Sequence, residues 1–113
     1  MDVELERVGD NLVARLRGEL DLAAAPEFRG QVSRELENPS VRNLVLVLGS
    51  VSFVDSSGLG AILGRYKQVS QRGGRVVLVG MQPQVRKVFE LAGLFKIVEE
   101  TCSEDEALRK VAS

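Results

Sequence analysis

The sequence contains no histidine and only one cysteine among its 113 residues. Without histidine, neither a Ser-His-Asp nor a Cys-His catalytic arrangement can form, and the commonest metal ligand is missing. The lone Cys102 excludes a disulfide within the chain and suits a reducing cytoplasm. We therefore expect no catalytic residue, no metal site, no cofactor of the protein's own, and a cytoplasmic location.

The sequence also lacks a long block of charges of one sign and a long apolar run. The 15 basic and 16 acidic residues give a net charge of −1 without a long block of either sign. This argues against a nucleic-acid-binding face and against binding to an anionic membrane. No run approaches the roughly 20 apolar residues of a membrane span, and the acidic start shows no signal peptide. The length predicts one domain, residues 1–113.

Hydrophobic periodicity predicts an α/β fold. Partial period-2 alternation on both sides of residues 9–11 predicts an N-terminal hairpin. The continuous apolar run at 44–48 and the segment 75–79 predict strands buried on both faces. Residues 95–98 are predicted to contain a short strand, and residues 103–111 a terminal helix with a capping box. The order β-β-α-β-α-β-α-β-α predicts a mixed sheet, the hairpin plus parallel strands, with about four flanking helices.

The segment Asp55-Ser56-Ser57-Gly58 follows the most apolar strand region and precedes a helical pattern. A helix N-terminus has unpaired N–H groups and a partial positive charge, so a phosphate on a serine there would be tolerated. Serine and aspartate are also common N-caps. The pattern therefore leaves open whether Ser56 and Ser57 cap the helix or carry a modification. Gly58 and Gly60 indicate a close approach of another surface.

Two enzymatic interpretations of this segment fit poorly. Gly58-Leu59-Gly60 is similar to the opening of a dinucleotide fingerprint, but Leu63 stands at the third glycine position. No acidic residue follows about 20 positions on, and no P-loop ending exists. Lys67 as a base for a nucleophilic Ser56 would lie roughly 16 Å along the same helix, outside hydrogen-bond reach.

Residues 53–68 (Phe-Val-Asp-Ser-Ser-Gly-Leu-Gly-Ala-Ile-Leu-Gly-Arg-Tyr-Lys-Gln) closely resemble the anti-sigma-factor antagonists of the STAS domain family. Gly-Glu-Leu-Asp at 18–21 and Gly-Leu-Phe-Lys-Ile at 93–97 extend the resemblance over nearly the whole chain. Asp-Ser-Ser-Gly is typical of the phosphorylatable members of the family. Gly-Arg-Tyr-Lys-Gln at 64–68 is more specific to their sporulation branch.

The resemblance implies a binding protein that is not an enzyme. Its partners would be a serine kinase that is also an anti-sigma factor, and a serine phosphatase. The unphosphorylated form would displace a sigma factor from the kinase. The kinase, with its own ATP and magnesium, would phosphorylate Ser56 and end the interaction, and we expect a monomer when the protein is free. Partner contacts would come from one loop and one turn: Asp21, Asp55, Ser56, Ser57, Gly58, Leu59 and Gly60.

Two points stay open at the level of sequence, the pathway of the partner and the class of the protein. Residues 22–26 (Leu-Ala-Ala-Ala-Pro) stand where the sporulation branch usually carries histidines and a threonine, so the partner could belong to a sporulation or a stress-response pathway. A scaffold in a larger assembly and a small enzyme with Ser56 as nucleophile are the competing classes. The resemblance assigns the phosphate to Ser56 and leaves Ser57 as the capping or neighbouring residue.

Overall fold

A computed structural model describes residues 1–112 of the chain. Strands and helices alternate as predicted after an opening hairpin, which confirms the fold class. The elements are β1 (Asp2–Val8), β2 (Asn11–Leu20), α1 (Ala25–Leu36), β3 (Asn43–Val54), α2 (Ser56–Ser70), β4 (Val76–Val79), α3 (Pro83–Leu91), a 3₁₀ helix (Leu94–Lys96), β5 (Glu99–Thr101) and α4 (Glu104–Ala112). Among the described residues, no helix is both long enough and apolar enough to cross a membrane.

The strands form one mixed sheet in the order β1-β2-β3-β4-β5. Strand β1 pairs antiparallel with β2, and the other neighbours are parallel. The hairpin turns through Gly9, whose φ of 63° lies in the left-handed region that glycine adopts without strain. Because β2 to β5 are parallel, their carboxyl ends all lie at one edge of the sheet. The loops that follow them therefore meet at that edge.

Each face of the sheet has its own hydrophobic core. Side chains alternate along β3, so that Leu44 and Leu46 face α1, α2 and α3, whereas Val45 faces α4. The larger cluster includes the fully buried Phe28 of α1 and Phe89 of α3. Helices α1 and α2 pack side by side on that larger core, and α4 alone covers the opposite face.

Two predicted boundaries are wrong. The expected strand within 95–98 is replaced by the 3₁₀ helix, which begins after Gly93 (φ 75°), and the last strand is the polar segment 99–101. The apolar side chains of Leu94 and Val98 are buried through the turn instead. Strand β3 also extends well beyond the predicted strand at 44–48, since it ends at residue 54. The terminal cap is confirmed, since Ser103 Oγ accepts from the Glu106 N–H at 3.2 Å.

Candidate functional site

The predicted site residues lie at the sheet edge formed by the carboxyl ends of the parallel strands. Leu20 at the end of β2 pairs with Val54 at the end of β3. The residues that follow these two strands, Asp21 and Asp55, therefore begin neighbouring loops. This topology brings the Asp21 loop and the Ser56 turn together, although 35 positions separate Asp21 from Ser56 in the sequence.

Asp55 holds the two loops together through its side chain. One carboxylate oxygen accepts a hydrogen bond from the Gly58 N–H at 3.0 Å, which makes Asp55 the N-cap of α2. The other oxygen accepts from the Leu22 N–H at 3.0 Å, across to the loop after β2. The Asp21 side chain folds back within its own loop and accepts from the Ala24 N–H at 3.0 Å. The turn and the loop are therefore fixed relative to each other before any partner binds.

The structure places both serines inside α2, so that Asp55 is the N-cap and Ser57 is the neighbour of Ser56. Ser56 is the first helical residue and is exposed, and Ser57 follows as a partly buried second residue. Within residues 1–112 the Ser56 hydroxyl makes no hydrogen bond. Both Asp55 oxygens already accept backbone N–H groups, and no lysine or other base bonds to Ser56. The geometry thus presents an accessible hydroxyl that lacks the activation a nucleophile needs.

The two glycines of the turn differ in their surroundings. A Cβ on the buried Gly58 would lie 2.2 Å from the Leu20 carbonyl oxygen, so the end of β2 is the surface that approaches it. Leu59, between the two glycines, is partly buried against the larger core. A Cβ on Gly60 would meet nothing within 4 Å, and this residue is exposed. The packing of the domain therefore requires a glycine at 58 and does not require one at 60.

The surface around Ser56 combines acidic and apolar groups. A shallow depression of about 380 Å³ beside the Asp21 loop is lined by Glu19, Asp21 and Glu27 among its polar residues. Two large apolar side chains are exposed close to the turn in sequence: Leu22, at 72 %, follows Asp21, and Phe53, at 48 %, precedes Asp55 by two residues. An acidic surface bordered by exposed apolar side chains suits a protein partner with basic groups.

Sequence reasoning missed an arginine in this region. The Nε and Nη1 atoms of Arg65 in α2 are buried and have no hydrogen-bond acceptor among residues 1–112. Burial first, and the charge of Arg29 second, lower the pKa of the Arg65 guanidinium. A pattern of residue types does not reveal such a group, because exposure of an arginine differs from atom to atom along its side chain.

A family model for the STAS domain matches residues 2–107. The chain belongs to the STAS domain family. It is 36 % identical, over 98 % of its length and 95 % of the relative, to the anti-sigma F factor antagonist of Paenibacillus polymyxa. It is also similar to the solved structure of the anti-sigma factor antagonist SpoIIAA in its unphosphorylated form, with 33 % identity and a TM-score of 0.80 over 99 % of both chains.

The same relative has been solved in another state. The structure of the Bacillus cell fate determinant SpoIIAA in the phosphorylated form is 33 % identical to this STAS domain, with a TM-score of 0.78. The match covers 97 % of this chain and 99 % of that one. This chain therefore resembles the two forms of that relative to nearly the same degree. Its place is among the anti-sigma-factor antagonists of the family.

Proposed function

We propose that this STAS domain is a partner-switching antagonist whose unphosphorylated form binds an anti-sigma-factor serine kinase, and that phosphorylation of Ser56 ends the binding. The observation that carries the proposal is the exposed Ser56 hydroxyl, which opens α2 beside the Asp21 loop and makes no hydrogen bond to any residue from 1 to 112. Because Asp55 supplies the cap, modification of Ser56 removes no contact from the folded domain. A serine phosphatase resets the cycle, and all of these steps belong to the cytoplasm.

The docking surface of this proposal consists of the Asp21 loop, the turn from Ser56 to Gly60 and the exposed side of α2. The acidic depression next to Asp21 would receive basic side chains of the kinase. Exposed Gly60 lets a partner backbone approach the helix closely, since no side chain separates the two surfaces. Leu22 and Phe53 add apolar area of the kind that is buried at the centre of interfaces.

Phosphorylation acts on this surface through charge and bulk. A phosphoserine carries roughly −1.5 to −2 charges at pH 7. In the free protein these charges face water and the positive end of α2, which tolerate them. In the complex they would be desolvated beside Asp21 and Asp55, and an imperfectly paired buried charge costs several kcal/mol. A loss of about 4 kcal/mol corresponds to roughly thousandfold weaker binding.

The similarity of this chain to both forms of SpoIIAA supports a switch that does not require refolding. In that case the change in affinity comes from the modified surface itself. The partner is a sporulation kinase or its stress-response counterpart. Residues 22–26 are the part of the docking surface that would select between them.

The test is phosphorylation by the cognate anti-sigma-factor kinase, followed by mass spectrometry to locate the phosphate. Ser56→Ala should bind the kinase and take up no phosphate, whereas Ser56→Asp should bind poorly. Ser57→Ala is the matched control and should still be phosphorylated at position 56. If Ser57→Ala abolished incorporation and Ser56→Ala did not, the assignment of the acceptor would be wrong. ATP or ester turnover by the pure protein without kinase would instead favour the enzyme class.

A further inference from the structure

Helices α1 and α2 pack side by side, and the groove between them carries two arginines to which no carboxylate of the described residues is bonded. Both helices follow parallel strands, so both run away from the sheet edge that carries Ser56. They are tied by Ser33 Oγ, which donates to Gln68 Oε1 at 2.8 Å, while Gln68 Nε2 donates to the Ser33 carbonyl at 3.4 Å. These two hydrogen bonds join α1 to α2 at this level of the helices.

Arg29 and Arg65 lie about one helical turn from that tie. Arg29 is four residues before Ser33 on α1, and Arg65 is three residues before Gln68 on α2. These spacings place each arginine on the same helix face as its tied neighbour. Both arginines are displaced towards the Ser56 end of the helices. The two arginines therefore lie on facing sides of the groove, close enough for the charge of Arg29 to act on Arg65.

Arg65 is in an unfavourable position within the isolated domain. Its Nε and Nη1 atoms are buried and have no acceptor in the described part of the chain, and the like charge of Arg29 further disfavours its charged form. A buried cation without hydrogen bonds lowers the stability of the folded domain, because its loss of hydration is not balanced by new hydrogen bonds. The side chain as a whole is partly exposed, so it can turn outward to an acceptor supplied from outside.

We propose that Arg65, assisted by Arg29, is a docking site for a carboxylate side chain of the anti-sigma-factor kinase. This inference rests on the proposed function. Arg65 is nine residues into α2, about 14 Å from Ser56 along the helix axis. A typical interface covers about 800 Å² on each partner, roughly 30 Å across, so a kinase docked on Ser56 also covers the groove. Planar guanidinium groups bind carboxylates through paired N–H donors.

This site gives the docking surface two poles of opposite charge. The kinase would place basic groups on the acidic depression beside Asp21 and a carboxylate on the groove between α1 and α2. Reversed or shifted orientations would bring like charges together. Electrostatic complementarity of this kind fixes orientation and register as well as contributing affinity.

The experiment measures binding of the unphosphorylated full chain to the cognate kinase, with urea unfolding of each variant alongside. Arg65→Met should weaken binding about 10- to 100-fold, the loss expected for hydrogen bonds between charged groups. Its resistance to urea should be unchanged or higher, because an unpaired buried charge is removed. Arg65→Lys should also bind more weakly, since lysine lacks the planar fork. Arg109→Met, on the exposed side of α4, is the matched control and should bind as the parent does.

Each outcome decides between the inferences. If the parent chain does not bind the kinase, the proposed function fails. If the parent binds and Arg65→Met stays within about twofold of it, the docking role of Arg65 is overturned and the proposed function stands. Weaker binding that accompanies a loss of stability would assign Arg65 a structural role and also overturn it. If Arg65→Met does not fold, Arg29→Gln decides, because this exposed change should weaken binding without changing stability.

Discussion

The close approach of Leu20 to Gly58 predicts that alanine at Gly58 and alanine at Gly60 change the stability of the domain in opposite directions. In Gly58→Ala the new Cβ would lie 2.2 Å from the Leu20 carbonyl oxygen and 2.9 Å from Leu20 Cγ. Neither distance is possible without movement, and the opposing oxygen belongs to the backbone of β2. That oxygen also accepts from the Asp55 N–H at 3.3 Å, a bond that separation of α2 from β2 would weaken.

The magnitude follows from three contributions. Overpacking of a filled site costs about 1–3 kcal/mol, and loss of the hydrogen bond to Leu20 costs about 0.5–1.5 kcal/mol. Alanine in place of glycine in a helix returns about 0.5–1 kcal/mol. We therefore expect Gly58→Ala to lower the free energy of unfolding by about 2 kcal/mol. Equilibrium urea unfolding followed by far-UV circular dichroism measures the change.

Gly60→Ala is the matched control, because its Cβ would enter open space. It should raise the free energy of unfolding by about 0.5–1 kcal/mol, which is the helix-propensity gain alone. The same methyl group lies on the proposed docking surface, so the stabilised variant should bind the kinase more weakly. If both alanines changed stability in the same direction, the close approach of Leu20 to Gly58 would not be the reason for that glycine.

Two further predictions concern carboxylates. Asp55→Ala should lower the free energy of unfolding by about 1–2 kcal/mol, because the cap is lost. Asp55→Asn should keep the cap but lose the hydrogen bond from the Leu22 N–H, so that hydrogen exchange at this amide becomes faster. Equal exchange at Leu22 in Asp55→Asn and in the parent would contradict the bridging role of Asp55. The hydrogen bond and charge of Arg15 hold the pKa of Glu104 below its ordinary value of 4.5. Because the folded-state pKa is depressed, this contribution is present above about pH 4.5 and is lost as the pH falls through the folded value. The protection factors of the α4 amides, which are corrected for the intrinsic pH dependence of exchange, should therefore fall below that pH, and those of Glu104→Gln should depend less on acid than those of the parent.

The sheet could be predicted from the sequence because its strands have strong apolar patterns. The prediction failed where the signal was short. Residues 95–98 are apolar enough for a strand, but a run of this length is equally compatible with a buried turn. Gly93, in the left-handed conformation, precedes a 3₁₀ helix there. The actual strand at 99–101 has a polar sequence, and its pairing with β4 sets its extended conformation. Tertiary pairing outweighed local pattern at this edge.

The site was predictable in its location and not in its internal roles. Asp55, Ser56 and Ser57 are all good N-cap residues, so composition alone cannot choose among them. The choice depends on where the neighbouring loop runs. With the Leu22 N–H on one side and the Gly58 N–H on the other, only a residue with two acceptor oxygens can satisfy both. Asp55 has them and a serine does not, which is why the cap is Asp55 and not one of the two serines.

Helix α2 carries features that lower the stability of the isolated domain. Gly60 and Gly64 each cost about 0.5–1 kcal/mol relative to alanine, and neither has a neighbour within 4 Å of its missing Cβ. Arg65 adds buried donors without an acceptor. Gly58, in contrast, is explained by the approach of Leu20 inside the fold. Nothing else among the described residues offsets these losses of stability, so we infer that contacts with a bound partner offset them. All three uncompensated residues lie on the helix that begins with Ser56, so one docked partner can account for them together with the exposed hydroxyl.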